Sequence, residues 1–105
     1  MRKDVITMLD FDIDVRSRIL VALEQDNDWR KIPIEVKMLI YRLYDFLQVK
    51  SYEMIDVVNS PKDDITVGLM LSDYMRDYQL KFEDMLYQML YSYDIDLVRI
   101  ADENN

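Results

Sequence analysis

The side chains with which this chain could do chemistry are its carboxylates. Glu83-Asp84 and Asp94-x-Asp96 are the candidate pairs for carboxylate-dependent catalysis. Such a pair could pass a proton or hold a hard cation. No Gly-rich loop, activated nucleophile or second base accompanies either of them. The chain has no His and no Cys. That removes structural zinc, thiol nucleophiles, Ser-His-Asp triads and imidazole acid–base work. Asp10, Asp12 and Asp14 alternate like the opening of a calcium loop. Its sixth position would then be Val15 where Gly is required, and its twelfth Val21 where Glu is required. Helix capping by Asp12 or Asp14 explains these acids better. The residues therefore predict no catalytic site, no metal and no cofactor.

The elements that would carry these acids read as helices. One Gly and two Pro among 105 residues are too few turn formers for many short strands. A lead-in over 1–11 brings Met8, Leu9 and Phe11 under the domain. A helix over about 13–25 places Val15, Ile19, Ala22 and Leu23 on one side. Asp26-Asn27-Asp28 ends it, and Trp29, the only tryptophan, opens a second helix as a core residue. Pro33 interrupts or restarts that helix. Val36, Leu39, Ile40, Leu43 and Leu47 then follow as a helical stripe. A break near Lys50-Ser51 leads to a short helix from Tyr52 to Val58. Asn59-Ser60-Pro61-Lys62-Asp63-Asp64 is a loop with an acidic cap for the next element.

A helix over 64–78 buries Val67, Met70, Leu71, Tyr74 and Tyr78, with Gly68 permitting close approach. Gln79-Leu80-Lys81 is a turn. A helix over 81–93 carries Phe82, Met85, Leu86, Met89, Leu90 and Tyr93. A last one over 94–101 carries Ile95, Leu97, Val98 and Ile100, and 102–105 is a solvated tail. Helices this short are marginal alone, so packing must hold them. The expectation is all-α: one domain over 1–105, a compact antiparallel bundle of six or seven short helices. Its core includes Trp29, Ile19, Leu23, Leu43, Leu71, Tyr74, Leu86 and Leu90.

Half of the residues are hydrophobic, enough for a core, and no apolar run is long enough to span a membrane. Met1-Arg2-Lys3-Asp4 does not open a secretory signal, and the lack of Cys fits a reducing compartment. The expected location is the cytoplasm. The net charge of −8 is uneven: residues 1–50 balance to zero, while 51–105 carry the whole excess of acid. Acidic surface repels phosphate backbones, which argues against nucleic-acid partners. Two faces of opposite character can dock between molecules. Tyr41, Tyr44, Tyr87 and Tyr91 are either partly exposed interface residues or hydroxyls edging the core. The eight methionines fall mostly on core stripes.

In order along the chain, Val15-Arg16, Asp28-Trp29-Arg30-Lys31-Ile32, Asn59-Ser60-Pro61 and Leu71-Ser72-Asp73-Tyr74 resemble a death domain. The similarity continues through Leu80-Lys81-Phe82-Glu83-Asp84-Met85-Leu86 and closes at Asp94-Ile95-Asp96-Leu97-Val98-Arg99-Ile100. It covers about 7–101 and is closest to the Pelle- and Tube-like adaptors and kinases of Toll and interleukin-1 receptor signalling. Two residues depart from that pattern. Pro33 falls where the family continues its second helix, and Tyr74 stands where many members carry Trp.

The resemblance implies a non-catalytic adaptor in innate immune or apoptotic signalling. Its partners would be other death-domain proteins or further copies of itself. Arg16, Arg18, Arg30, Lys31, Lys37 and Arg42 would form a basic face. Asp56, Asp63, Asp64, Asp73, Asp77, Glu83, Asp84, Asp94 and Asp96 would form an acidic one. Composition alone also fits another class, a small acidic helical inhibitor of phage or viral origin that occupies a basic groove on a host protein.

Overall fold

A computed structural model describes residues 2–104. Every element in it is helical: α1 (Arg2–Glu24), a 3₁₀ turn (Trp29–Lys31), α2 (Ile34–Val58), α3 (Asp64–Tyr74), a π turn (Met75–Gln79), α4 (Leu80–Tyr91) and α5 (Leu97–Asn104). No strand occurs among the described residues. Because the π turn joins α3 to α4 without a break, the described residues form four helices, one of them long and kinked, in place of six or seven short ones.

Four sequence expectations fail for the same reason: the helices are longer than their breaks suggested. The lead-in is helical from Arg2, so Asp12 and Asp14 lie inside α1 and cap nothing. Met8 and Phe11 are exposed on it rather than packed beneath the domain, while Leu9 is buried. The break at Lys50-Ser51 does not exist. Ser51 is fully buried within α2, and its hydroxyl donates back to the Leu47 carbonyl at 3.0 Å, so it does not compete for the helix's own amides. Gln79-Leu80-Lys81 is no reversal but the end of the π turn and the start of α4. At the C-terminal end, Asp102 to Asn104 continue α5 instead of forming a tail, and Asn105 lies outside the described residues, as does Met1.

Other boundaries follow the local signals. Pro33 precedes α2, and its carbonyl accepts from Val36 and Lys37 at 3.1 and 3.0 Å. The Asp63 carboxylate caps α3, accepting from the Thr66 amide at 2.7 Å and the Thr66 hydroxyl at 3.0 Å. These bonds hold the Asp63 pKa below the usual carboxylate range. Asp96 accepts from the Val98 and Arg99 amides and starts α5. Asp94 has φ 64°, the left-handed turn that follows α4. The Ile95 amide there reaches back to the Leu90 carbonyl at 3.1 Å.

The helix directions follow from cross-chain bonds. Arg2, at the start of α1, donates to the carbonyls of Val58, Ser60 and Lys62 and pairs with Asp64 at 2.9 Å. Tyr41 donates to Glu24 at 2.8 Å near the other end. α1 and α2 are therefore antiparallel, and the helix from 64 to 91 runs back along them parallel to α1. The assembly is 48 × 23 × 16 Å, with a radius of gyration of 15.1 Å. A compact domain of this length would have about 13 Å, so the bundle is elongated rather than compact.

The core is divided in two. The larger cluster joins Ile19, Leu23, Trp29, Ile40, Leu43, Leu47, Leu86, Leu90 and residues of α5. The smaller joins Leu9, Met54, Val58, Val67 and Tyr74 at the far end. Of the residues expected to be buried on the helix over 64–78, Met70, Leu71 and Tyr78 fall short, being half-buried. Leu39 and Met85 leave their expected stripes and are exposed, whereas Tyr44 is buried and Tyr91 is 73% exposed. Phe46 braces α2 against the kinked helix, 5.6 Å from Tyr78 and 4.9 Å from Phe82 by ring centres.

Candidate interaction surface

Between the two clusters lies a polar layer, and Arg16 is its centre. Arg16 is 6% exposed, so it does not project from the first helix as a surface cation. It sits seven residues, two turns, after Leu9 on the inward side of α1, between Ile13 and Ile19, which are also buried. Its guanidinium donates to the Gln48 side chain at 2.9 Å, the Ser51 hydroxyl at 2.8 Å and the Tyr74 hydroxyl at 3.1 Å. Its Nε lies 3.6 Å from Glu83, an ion-pair distance too long for a hydrogen bond. Burial pushes the Glu83 carboxyl up from its ordinary range, and the Arg16 charge pulls it part of the way back. Asp12 is raised by burial in the same way, against Arg16 and Gln79.

Gln48, Ser51, Gln79 and Asp12 were not among the sequence-derived site residues. A signal for one of them was present: Tyr44, Leu47, Ser51, Met54 and Val58 share the buried face of α2, and Ser51 is its one small polar member. A polar residue on an apolar stripe requires a buried partner.

The remaining charged residues are dispersed. Arg18, Arg30 and Arg42 are exposed on α1, the 3₁₀ turn and α2. Lys31 pairs with Asp28 at 2.7 Å, and Lys37 lies 5.3 Å from the centre of the Trp29 ring. Asp64 pairs with Arg2, and Asp73 and Asp77 both pair with Arg76. Arg76 holds Asp77 below its ordinary pKa. Glu83 is the partner of Arg16, and Asp84 accepts from Gln88 at 3.1 Å. Asp63 and Asp96 are helix caps, Asp94 forms the turn after α4, and Asp56 stands exposed on α2. Much of the acidic set thus has work within the chain. The hydrogen bond to Asp28 raises the Lys31 pKa and the charge of Asp94 adds to it, so acid and base adjoin at that end instead of occupying opposite faces.

A surface that sequence reasoning passed over is the outside of α3. Ile65, Val67, Leu69, Met70 and Leu71 are apolar on every side of this helix, yet only Val67 and Tyr74 are buried. A helix apolar all round is normally enclosed. Here Ile65 is 78% and Leu69 63% exposed. Beside them, between the starts of α1 and α3 and the end of α2, lies a groove of about 190 Å³. Val5, Val58, Val67, Gly68 and Leu71 line it, and Arg2 and Asp64 bound it. The available signal was arithmetic: five apolar residues in seven cannot all face one side of a helix.

Gly68 is the only glycine in the chain. Its φ is not positive, and a methyl group added there would meet nothing within 4 Å. Neither backbone conformation nor internal packing calls for glycine at this site, and in a helix interior it costs about 1 kcal/mol relative to alanine.

Comparison with known proteins finds no matching family model, and no similar curated protein or solved structure.

Proposed function

We propose that this chain is a non-catalytic protein–protein interaction module that assembles by direct docking, with the outer face of α3 as its main contact. The observation that carries this reading is the uncovered apolar side of α3, Ile65 and Leu69 above all. Exposed apolar residues contiguous with a groove and rimmed by charge are what a docking surface offers. Among the described residues no three His, Cys, Asp or Glu side chains converge as a metal site would require.

Within that class, homotypic assembly as a death-domain-type adaptor in intracellular signalling is supported by the ordered residues from Val15-Arg16 to Ile100. Exposed Arg18, Arg30 and Arg42 could supply its charged contacts. The long α2 and the unbroken course from 64 to 91 are a different layout from six short helices, so the support lies in the sequence order alone. A second reading, an acidic inhibitor seated in a basic groove, draws on the net charge of −8. It also draws on the engagement of Arg2, Arg16 and Lys31 inside the chain.

The test is affinity capture from the source cells with the wild-type chain, Leu69→Asp, Arg30→Glu and Asp84→Lys as baits, at low and high salt. A partner lost with Leu69→Asp supports docking through α3. Loss with Arg30→Glu favours the adaptor. Loss with Asp84→Lys and with salt, while Arg30→Glu binds normally, favours the acidic inhibitor. Partners retained by every variant would refute the assignment of these surfaces.

A further inference from the structure

We infer that the α3 face is filled by α3 of a second copy of this chain, packed antiparallel about a two-fold axis near Met70. The inference rests on the reading of this face as an interaction surface and adds the identity of its occupant.

The argument begins with the register of the exposed residues. In an antiparallel pair centred on Met70, Asp64 stands opposite the partner's Arg76. Ile65 stands opposite the partner's Met75, and Gly68 opposite the partner's Ser72. All six of these positions are exposed. Asp64 and Arg76 each keep 69% of their side-chain surface open despite their pairings within the chain. The two-fold axis makes each contact twice, so one acid and one base on a single helix become two complementary ion pairs. The apolar residues lie between these charged ends.

Gly68 gives the second argument. A glycine that strains no backbone and relieves no internal clash weakens its helix without benefit to the isolated chain. Opposite serine it lets two helix backbones approach closely. The apolar groove beside it would receive the edge of the partner helix.

One helix pair covers less surface than stable complexes bury, so the dimer is weak and depends on concentration. Sedimentation of the full chain from about 5 µM to about 1 mM spans the range in which such an equilibrium appears. The wild-type chain should shift from monomer to dimer, and Leu69→Asp should remain monomeric. Gly68→Ala should dimerise roughly tenfold more weakly while melting no lower than wild type when dilute. That opposition of sign separates loss of close approach from loss of fold. Asp64→Asn and Arg76→Gln should each weaken the dimer, and the double variant should be no weaker than either single one.

A monomer throughout the range overturns the inference. It leaves the interaction reading standing if Leu69→Asp still loses a captured partner. A dimer indifferent to both Leu69→Asp and Gly68→Ala overturns the inference too, since the copies would then meet elsewhere. Additive losses from Asp64→Asn and Arg76→Gln would overturn the antiparallel register.

Discussion

Arg16 donates to the Tyr74 hydroxyl at 3.1 Å, tying the first helix to a residue 58 positions later. Tyr74 is shared in turn with Ser51 at 2.6 Å, so three helices meet in one hydrogen-bonded layer. A buried ion pair is weak evidence for net stability, but removing one partner strands the other. Arg16→Met should therefore destabilise the fold by about 3 kcal/mol, and Tyr74→Phe by about 1.5 kcal/mol. Adding Glu83→Leu to Arg16→Met should restore most of the loss. Urea unfolding of the four proteins measures this, and an Arg16→Met loss below ~1 kcal/mol would deny the layer its role.

The same layer predicts an unusual response to pH. Burial raises the Glu83 and Asp12 carboxyls in the folded state above their ordinary values of 4.5 and 3.8. A carboxyl with a raised folded pKa binds its proton more tightly when folded, so its contribution is favourable at low pH and fades as pH rises through the folded value. The groups facing Glu83 are Arg16 and Asp12 from α1, Gln79 from the π turn, and Tyr44 and Tyr87 from α2 and α4. Unfolding free energy should rise as pH falls toward 4.5, the ordinary glutamate value, and Glu83→Gln should flatten that rise. Asp63 acts in the opposite sense, its contribution being present above pH 3.8 and lost below. Identical slopes for wild type and Glu83→Gln would show that Glu83 is not the group responsible.

Trp29 is 8% exposed, edge-on to Tyr41 at 5.8 Å, with Lys37 above its ring. Trp29→Ala should cost about 3–5 kcal/mol, the range for deleting a large buried aromatic. Thermal unfolding reads it directly, and an unchanged midpoint would remove Trp29 from the core.

Gly68→Ala should do the reverse. With open space for the added methyl, the dilute monomer should gain about 0.5–1 kcal/mol. A destabilised monomer would mean that the helix needs this glycine for itself.

The helical class and most of the core were readable because they depend on composition and on the 3.6-residue period. Trp29, Ile19, Leu23, Leu43, Tyr74, Leu86 and Leu90 are all buried. Pro33 and Asp63 marked true helix starts, since their effects are local. The breaks that failed were polar residues mistaken for turns. Lys50-Ser51 stays helical because Arg16, from another helix, gives Ser51 its partner, and no window around residue 50 contains that fact. Arg16 was assigned to the surface for the same reason: a guanidinium is buried only when distant residues satisfy it, and Gln48, Ser51 and Tyr74 lie 32 to 58 positions away. Of the acids grouped as one face, Asp63 and Asp96 cap helices, and Asp64, Asp73 and Asp77 pair with bases that the sequence does not place beside them as a set.

The π turn at Met75–Gln79 also sets how this gene can change length. Each residue turns an α-helix by about 100°. The inward side of α3, marked by Val67 and Tyr74, would continue in an unbroken α-helix to about positions 85 and 89. The buried residues are instead Leu86 and Leu90, one position later. The wide turn absorbs that surplus residue. Loss of one codon between 75 and 79 would close the helix into a regular spiral and leave Leu86 and Leu90 facing inward. Loss of one codon within α4, upstream of Leu86, would swing that pair away from the core as long as the wide turn stayed open. Five adjacent codons therefore tolerate a deletion that the codons beside them do not.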